Sequence, residues 1–276
     1  MRAAAIQLNS SDDVDRNLEV AERLVAAAAS AGAELVALPE KWPALASGEV
    51  LRELAEPLDG AIVSACRDWA GDHGIFLLAG SFSERRDDGE VANTSVLFDR
   101  DGGIAAVYRK IHMFDVDVGG VSYRESEHER AGEEIVLADA GELRLGLTVC
   151  YDLRFPELYR ILALRGATAV TVPAAFTATT GRDHWEVLLR ARAIEDQVFV
   201  VAPNQFGTAA PEYSSWGHSA IVDPWGRVLD LLADGEGHAI AELDLAELER
   251  VRAQVPSLAS RRAAAYRWPV EVGDRG

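Results

Sequence analysis

The chain has 276 residues, 49% of them hydrophobic, a length and composition that one large domain with a sizeable core can use. Its 27 Lys and Arg against 45 Asp and Glu leave a formal net charge of −18, which argues against a nucleic-acid or anionic-membrane surface but not against a locally basic pocket. No apolar run reaches membrane-spanning length, and Cys66 and Cys150 are too few for a disulfide framework, so a reducing cytoplasm is the expected setting.

Residues 3–8 read as a first strand, too short and too soon polar for a signal peptide. Val14, Leu18, Ala21, Leu24 and Ala28 then fall on one helical face, with Asp12 or Asp13 placed to cap it. Residues 35–38 form an apolar strand that runs into Pro39 and Glu40, and residues 62–70 a helix carrying Cys66 as a packing residue. Residues 75–82, 94–98 and 104–108 read as strands. The Asp- and Gly-rich turns between them predict antiparallel hairpins. Residues 143–149 are apolar and strand-like. Pro156 opens a helix in which Leu158, Ile161 and Leu162 share a face and which Gly166 closes. Strands at 169–173 and 198–202 flank a helix from about 183 to 197. A strand at 238–243 and a helix from about 245 to 254 end the pattern. No Gly/Ser/Pro-rich linker divides the chain, so residues 1–276 read as a single mixed α/β layered domain.

Cys150 carries the most chemistry. It lies where a strand ends in a turn leading to a helix, a place that exposes a side chain and aims backbone N–H groups at whatever reacts there. A lone cysteine more often packs as a small apolar residue, but two further strands end in matching groups. Glu40 follows Leu35-Val36-Ala37-Leu38-Pro39, and Lys110 follows Val107-Tyr108-Arg109. His112, Asp115 and Asp117 match no closed zinc spacing, so no metal is expected. Gly217-His218-Ser219 fails as a serine nucleophile turn because Ile221 stands where glycine is needed. Arg190 and Arg192 read as structural ion pairs.

Glu40, Lys110 and Cys150, in that order and each after an apolar strand, resemble the Glu-Lys-Cys triad of the nitrilase superfamily of carbon–nitrogen hydrolases. Pro173-Ala174-Ala175-Phe176, Gly181-Arg182-Asp183-His184-Trp185-Glu186, Trp216-Gly217-His218-Ser219 and Asp223-Pro224-Trp225-Gly226 also match, over about residues 2–268. The similarity is greatest to the omega-amidase and deaminated glutathione amidase branch. It implies a four-layer α-β-β-α sandwich and a homodimer or higher homo-oligomer paired through the helices after Pro156 and at 183–197.

The resemblance also implies roles. Cys150 would be the nucleophile and Glu40 its base. Lys110 and the Tyr151 N–H would hold the oxyanion. Glu125, preferred over Glu127 and Glu129, would be a second glutamate holding Lys110. Val118-Gly119-Gly120 departs from the family's usual proline before glycine, which predicts a looser loop. No cofactor is implied. The implied substrate is a small carboxylate-bearing amide, an omega-amide of a 2-oxo acid or deaminated glutathione. Arg154, Phe176, Thr177, Thr180 and His184 are the candidate binding residues, and an ion pair with Glu157 is the competing use of Arg154. The alternatives are a nitrilase, an N-carbamoyl amino acid amidohydrolase, or a non-catalytic scaffold on the same fold.

Overall fold

The computed structural model describes residues 1–210 and 213–266. The expected limit of the core near residue 268 lies outside these. Two sheets stack face to face. In the first, neighbouring strands run Tyr213–Trp216, Asn204–Ala210, Arg2–Leu8, Leu35–Ala37, Phe76–Leu78, Val91–Phe98 and Phe82–Arg85, with Gly237–Glu242 added to Arg2–Leu8 and Ile104–Arg109 to Val91–Phe98. The second runs Val228–Leu232, Ser219–Val222, Phe199–Ala202, Ala169–Thr171, Leu143–Leu147 and Leu137–Ala140. The central strands of each are parallel and their margins antiparallel, as alternating strand–helix segments mixed with hairpins demand.

Period-two alternation in Arg2–Leu8 shows how the layers form. Ala3 and Ala5 pack with the second sheet, beside Leu143, Leu145 and Ala169. Ala4, Ile6 and Leu8 face the helices Val14–Ser30 and Ala61–His73. The helices Pro156–Leu164 and Ala178–Asp196 cover the other side of the second sheet through Leu158, Leu162, Trp185 and Leu189. The result is the expected four-layer α-β-β-α sandwich. Asp13 is the cap of the first helix, accepting from the Arg16 N–H at 3.1 Å.

Three local expectations are corrected. The strand expected over 75–82 is two strands, broken where Gly80 takes φ +54; a Cβ there would stand 2.0 Å from the Pro39 carbonyl oxygen. That approach seats the loop carrying Glu40, with the Ser81 N–H donating to Pro39 O at 3.1 Å. The helix expected from about 183 begins at Ala178. The supposedly looser loop is a tight hairpin. Asp115–Val118 pairs with Val121–Arg124, and Gly119 and Gly120, at φ +63 and +81, supply the two left-handed residues such a turn needs.

Candidate active site

The first sheet delivers the charged groups and the second delivers the thiol. Glu40 follows Leu35–Ala37, Lys110 ends the run of Ile104–Arg109, and Asn93 lies within Val91–Phe98. Cys150 follows Leu143–Leu147, and Ala175 follows Ala169–Thr171. Glu125 enters from the short hairpin, at the start of the 3-10 turn Glu125–Glu127.

Both oxygens of Glu40 are committed. Oε1 accepts from Lys110 Nζ at 3.0 Å and Asn93 Nδ2 at 2.9 Å, and Oε2 from the Ala175 N–H at 2.9 Å. Lys110 Nζ also donates to both Glu125 oxygens, at 2.9 and 2.8 Å. Asn93 reaches Glu125 Oε1 at 3.1 Å, and the Phe114 N–H donates to Oε2 at 2.7 Å. Burial works to lower the Lys110 ammonium, but the charges of Glu125 and Glu40 outweigh it and hold the group well above the ordinary lysine value. Burial likewise pushes the Glu125 carboxyl up, and Lys110, Lys41 and the hydrogen bonds overcome it, leaving the group below the usual carboxylate range. Lys110 is therefore a fixed cation between two anions.

Burial and the adjacent Glu40 charge push the Cys150 thiol well above its ordinary value, with Lys110 only partly opposing them. The sulfur is thus held as a thiol beside Glu40, and a thiol so held reacts as a nucleophile only with a base to take its proton. Cys150 sits at φ +46, in the left-handed region, with its N–H donating to Pro173 O at 2.8 Å. Such backbone is costly for a side-chain residue and persists only where its surroundings impose it. Buried Asp152 braces the turn that holds the cysteine. Its oxygens accept from the Val149 N–H at 2.8 Å, Tyr108 Oη at 2.6 Å and the His112 N–H at 3.1 Å, and lie 2.7 Å from His112 Nδ1. The Cys150 turn is thereby pinned to the segment that carries Lys110. His112 lies against Asp152 and stacks on Phe155, while Asp117 pairs with Arg124.

The thiol opens into a cavity of about 630 Å³. Glu40, Lys110, Glu125, Cys150 and Tyr151 line it, as do the expected binding residues Arg154, Phe176, Thr177 and Thr180. His184 does not line it. It lies behind Arg154, whose Nη1 is 3.2 Å from His184 Nδ1 and whose Nη2 donates to Thr180 Oγ1 at 3.3 Å. The Arg154 guanidinium stands 5.0 Å from the Phe176 ring centre, a cation–π contact in place of an ion pair with Glu157. Arg192 bonds the Leu153 carbonyl and Glu195, and Arg190 the Gly226 carbonyl and Glu186, as structural residues. Sequence reasoning missed Asn93, Asp152, Lys41 and Tyr213. Tyr213, whose hydroxyl donates to the Ala175 carbonyl, comes from a distant strand that nothing in the local pattern connects to Cys150.

Over 264 residues the chain is 42% identical to a deaminated glutathione amidase of Synechocystis sp. (strain PCC 6803 / GT-S), covering 94% of this chain and 97% of that protein. Over 266 residues it is 38% identical to an omega-amidase of Mus musculus, covering 96% of each. The solved NitFhit protein of C. elegans superposes with a TM-score of 0.91 at 36% identity; the match spans 96% of this chain and 66% of that longer one. The sequence pattern of the carbon–nitrogen hydrolase family matches residues 2–253. With the triad order read from the sequence found assembled on two facing sheets, the chain belongs to the carbon–nitrogen hydrolases of the nitrilase superfamily.

Proposed function

We propose that the protein is a thiol-dependent amidase acting on a small amide that also carries a carboxylate. The observation that carries the chemistry is Glu40, held by Lys110, Asn93 and the Ala175 N–H while hydrogen-bonded to the Cys150 thiol. Glu40 takes the thiol proton as sulfur attacks the carbonyl carbon. Lys110 and the Tyr151 N–H stabilise the oxyanion. Collapse of the tetrahedral adduct expels the amine, which takes the proton from Glu40, and leaves a thioester on Cys150. Water, deprotonated by Glu40, attacks the thioester and releases the acid, returning the proton to sulfur. Glu125 holds Lys110 and the amide nitrogen.

Arg154 supports the carboxylate preference. Arg124 also lines the cavity but is paired with Asp117 at 2.8 and 3.0 Å, whereas Arg154 has no acidic partner among the described residues. A guanidinium on a cavity wall fits a substrate carboxylate, with the Thr180 hydroxyl beside it. The relatives named for omega-amide and deaminated glutathione hydrolysis agree with this preference. Two free cysteines fit a reducing cytoplasm. Val187, Ile194 and Leu164, exposed on the helices Pro156–Leu164 and Ala178–Asp196, fit a homodimer paired through that layer. The test is a screen of purified protein against small amides, nitriles and carbamoyl compounds, with the mass of Cys150 followed during turnover. Ammonia from carboxylate-bearing amides, with an acyl adduct on Cys150, is expected. Turnover of nitriles or carbamoyl compounds alone overturns the reading.

A further inference from the structure

A second buried Lys–Glu pair lies beside the first. Lys41 directly follows Glu40, and Glu129 lies one helical turn after Glu125 with its N–H on the Glu125 carbonyl at 3.0 Å. Lys41 Nζ forms an ion pair with Glu129 Oε1 and donates to Ser83 Oγ at 2.8 Å, and that hydroxyl donates to the same Glu129 oxygen at 3.0 Å. The Lys41 and Glu129 side chains are 7% and 4% exposed, and both residues line the cavity. Lys41 holds φ +53, its N–H on Ser81 Oγ at 3.2 Å.

The two bridges repeat one geometry. Ser83 and Asn93 are direct cross-strand partners in the sheet. Asn93 spans Glu40 and Glu125, and Ser83 spans Lys41 and Glu129. Adjacent strands thus tie the same two loops together twice. Stability does not account for the second tie, because well-packed apolar residues serve as well as a buried ion pair. We propose that Lys41 and Glu129 are positioning residues: their pair locks the Glu40 loop to the Glu125 loop and sets the field in which Cys150 gives up its proton, on the reading of Cys150 as nucleophile given above. The charges supports this. Lys41 helps hold Glu125 ionised, while burial and then the Glu125 charge push Glu129 upward against Lys41. Glu40, Lys110, Cys150 and Tyr213 also face this network, and the remaining titratable groups on the cavity wall are Tyr123, Arg124, Glu127, His128, Tyr151 and Arg154.

Opposite charges predict opposite shifts. The rate of Cys150 alkylation by iodoacetamide, followed against pH by the mass of the Cys150 peptide, needs no substrate turnover. Lys41→Met is expected to raise its pH midpoint by about one unit and Glu129→Gln to lower it by about as much, with the double variant returning near wild type. On an amide substrate each single variant is expected to lose about tenfold in kcat with little change in KM. Ser83→Ala loosens the pair without removing a charge and guards against misfolding of the charge variants. It is expected to lower kcat roughly threefold with the alkylation midpoint unmoved. Midpoints unmoved in both charge variants, midpoints shifted in the same direction, or wild-type kcat in Ser83→Ala each overturn the proposal. A wild-type protein that hydrolyses no amide, yet shows the opposed shifts, overturns the amidase reading and leaves the positioning pair standing.

Discussion

A side chain's worth in this site depends on whether its partner is fixed before the reaction begins. Lys110 is held by two carboxylates, so on the proposed mechanism its charge is already aimed when the oxyanion forms. Lys110→Met should therefore lower kcat by about 10²–10³-fold, roughly 3–4 kcal/mol, with the fold intact by circular dichroism. Loss below tenfold would remove Lys110 from the oxyanion site. Arg154→Lys keeps a charge but loses the planar paired donors. Binding of a carboxylate-bearing amide should weaken by about 1.5–3 kcal/mol, roughly ten- to hundred-fold in kcat/KM. A neutral amide of equal length should change far less, and equal losses on both substrates would assign Arg154 to the nucleophile turn instead. The positions of Glu40, Lys110 and Cys150 were legible in the sequence because each follows an apolar strand, a pattern confined to a few consecutive residues, but only the family resemblance singled them out from other strand ends. Asn93, Lys41 and Glu129 were not, because their partners come from strands and loops that only pairing brings together. Glu129 was noticed merely as a rival to Glu125.

Among the elements, the helix Ala178–Asp196 carries a cost at its end. Asp196 is 1% exposed, and neither of its oxygens takes a hydrogen bond among the described residues, although Arg160 Nε approaches to 3.1 Å. Burial pushes its carboxyl up to about 7. Between about pH 4 and 7 the folded form thus keeps a proton that the unfolded chain has released. Stability from this group falls as pH rises through that window, by up to about 4 kcal/mol. Asp196→Asn should melt higher than wild type at pH 8, and the gap should close toward pH 5; a gap independent of pH would contradict the assignment. Element boundaries were legible where a cap or a proline marks them, as at Asp13 and Pro156. They were misread where the marker is a contact. Gly80 breaks a strand because Pro39 passes close by, which hydrophobic pattern does not encode.

Over the whole molecule, alternation of strands and helices foretold a layered α/β domain and the family resemblance its four layers, but neither gave which strand pairs with which, since pairing is nonlocal. The outer helix layer leaves Val187 and Ile194 66% and 51% exposed. On the proposed pairing, wild type should sediment as a dimer and the combined Val187→Glu and Ile194→Glu variant as a monomer, because unpaired charges in an apolar interface oppose association. An unchanged sedimentation coefficient would place any interface elsewhere.

Glu40 and Lys110 ride on one sheet, Cys150 on the other, and between them stand side chains as small as Ala3 and Ala5. The distance from Glu40 to the Cys150 sulfur is therefore gauged by methyl groups remote from the cavity, much as a shim sets the gap between two plates. Ala5→Val thickens the shim. Overpacking of this kind costs about 1–3 kcal/mol of stability, which a folded domain can survive. A displacement near 1 Å at the reacting atoms, however, costs about a hundredfold in rate. At a temperature where the variant is fully folded, kcat should fall tenfold or more while the cavity residues remain untouched; wild-type kcat would mean that the sheets absorb the extra volume without moving apart.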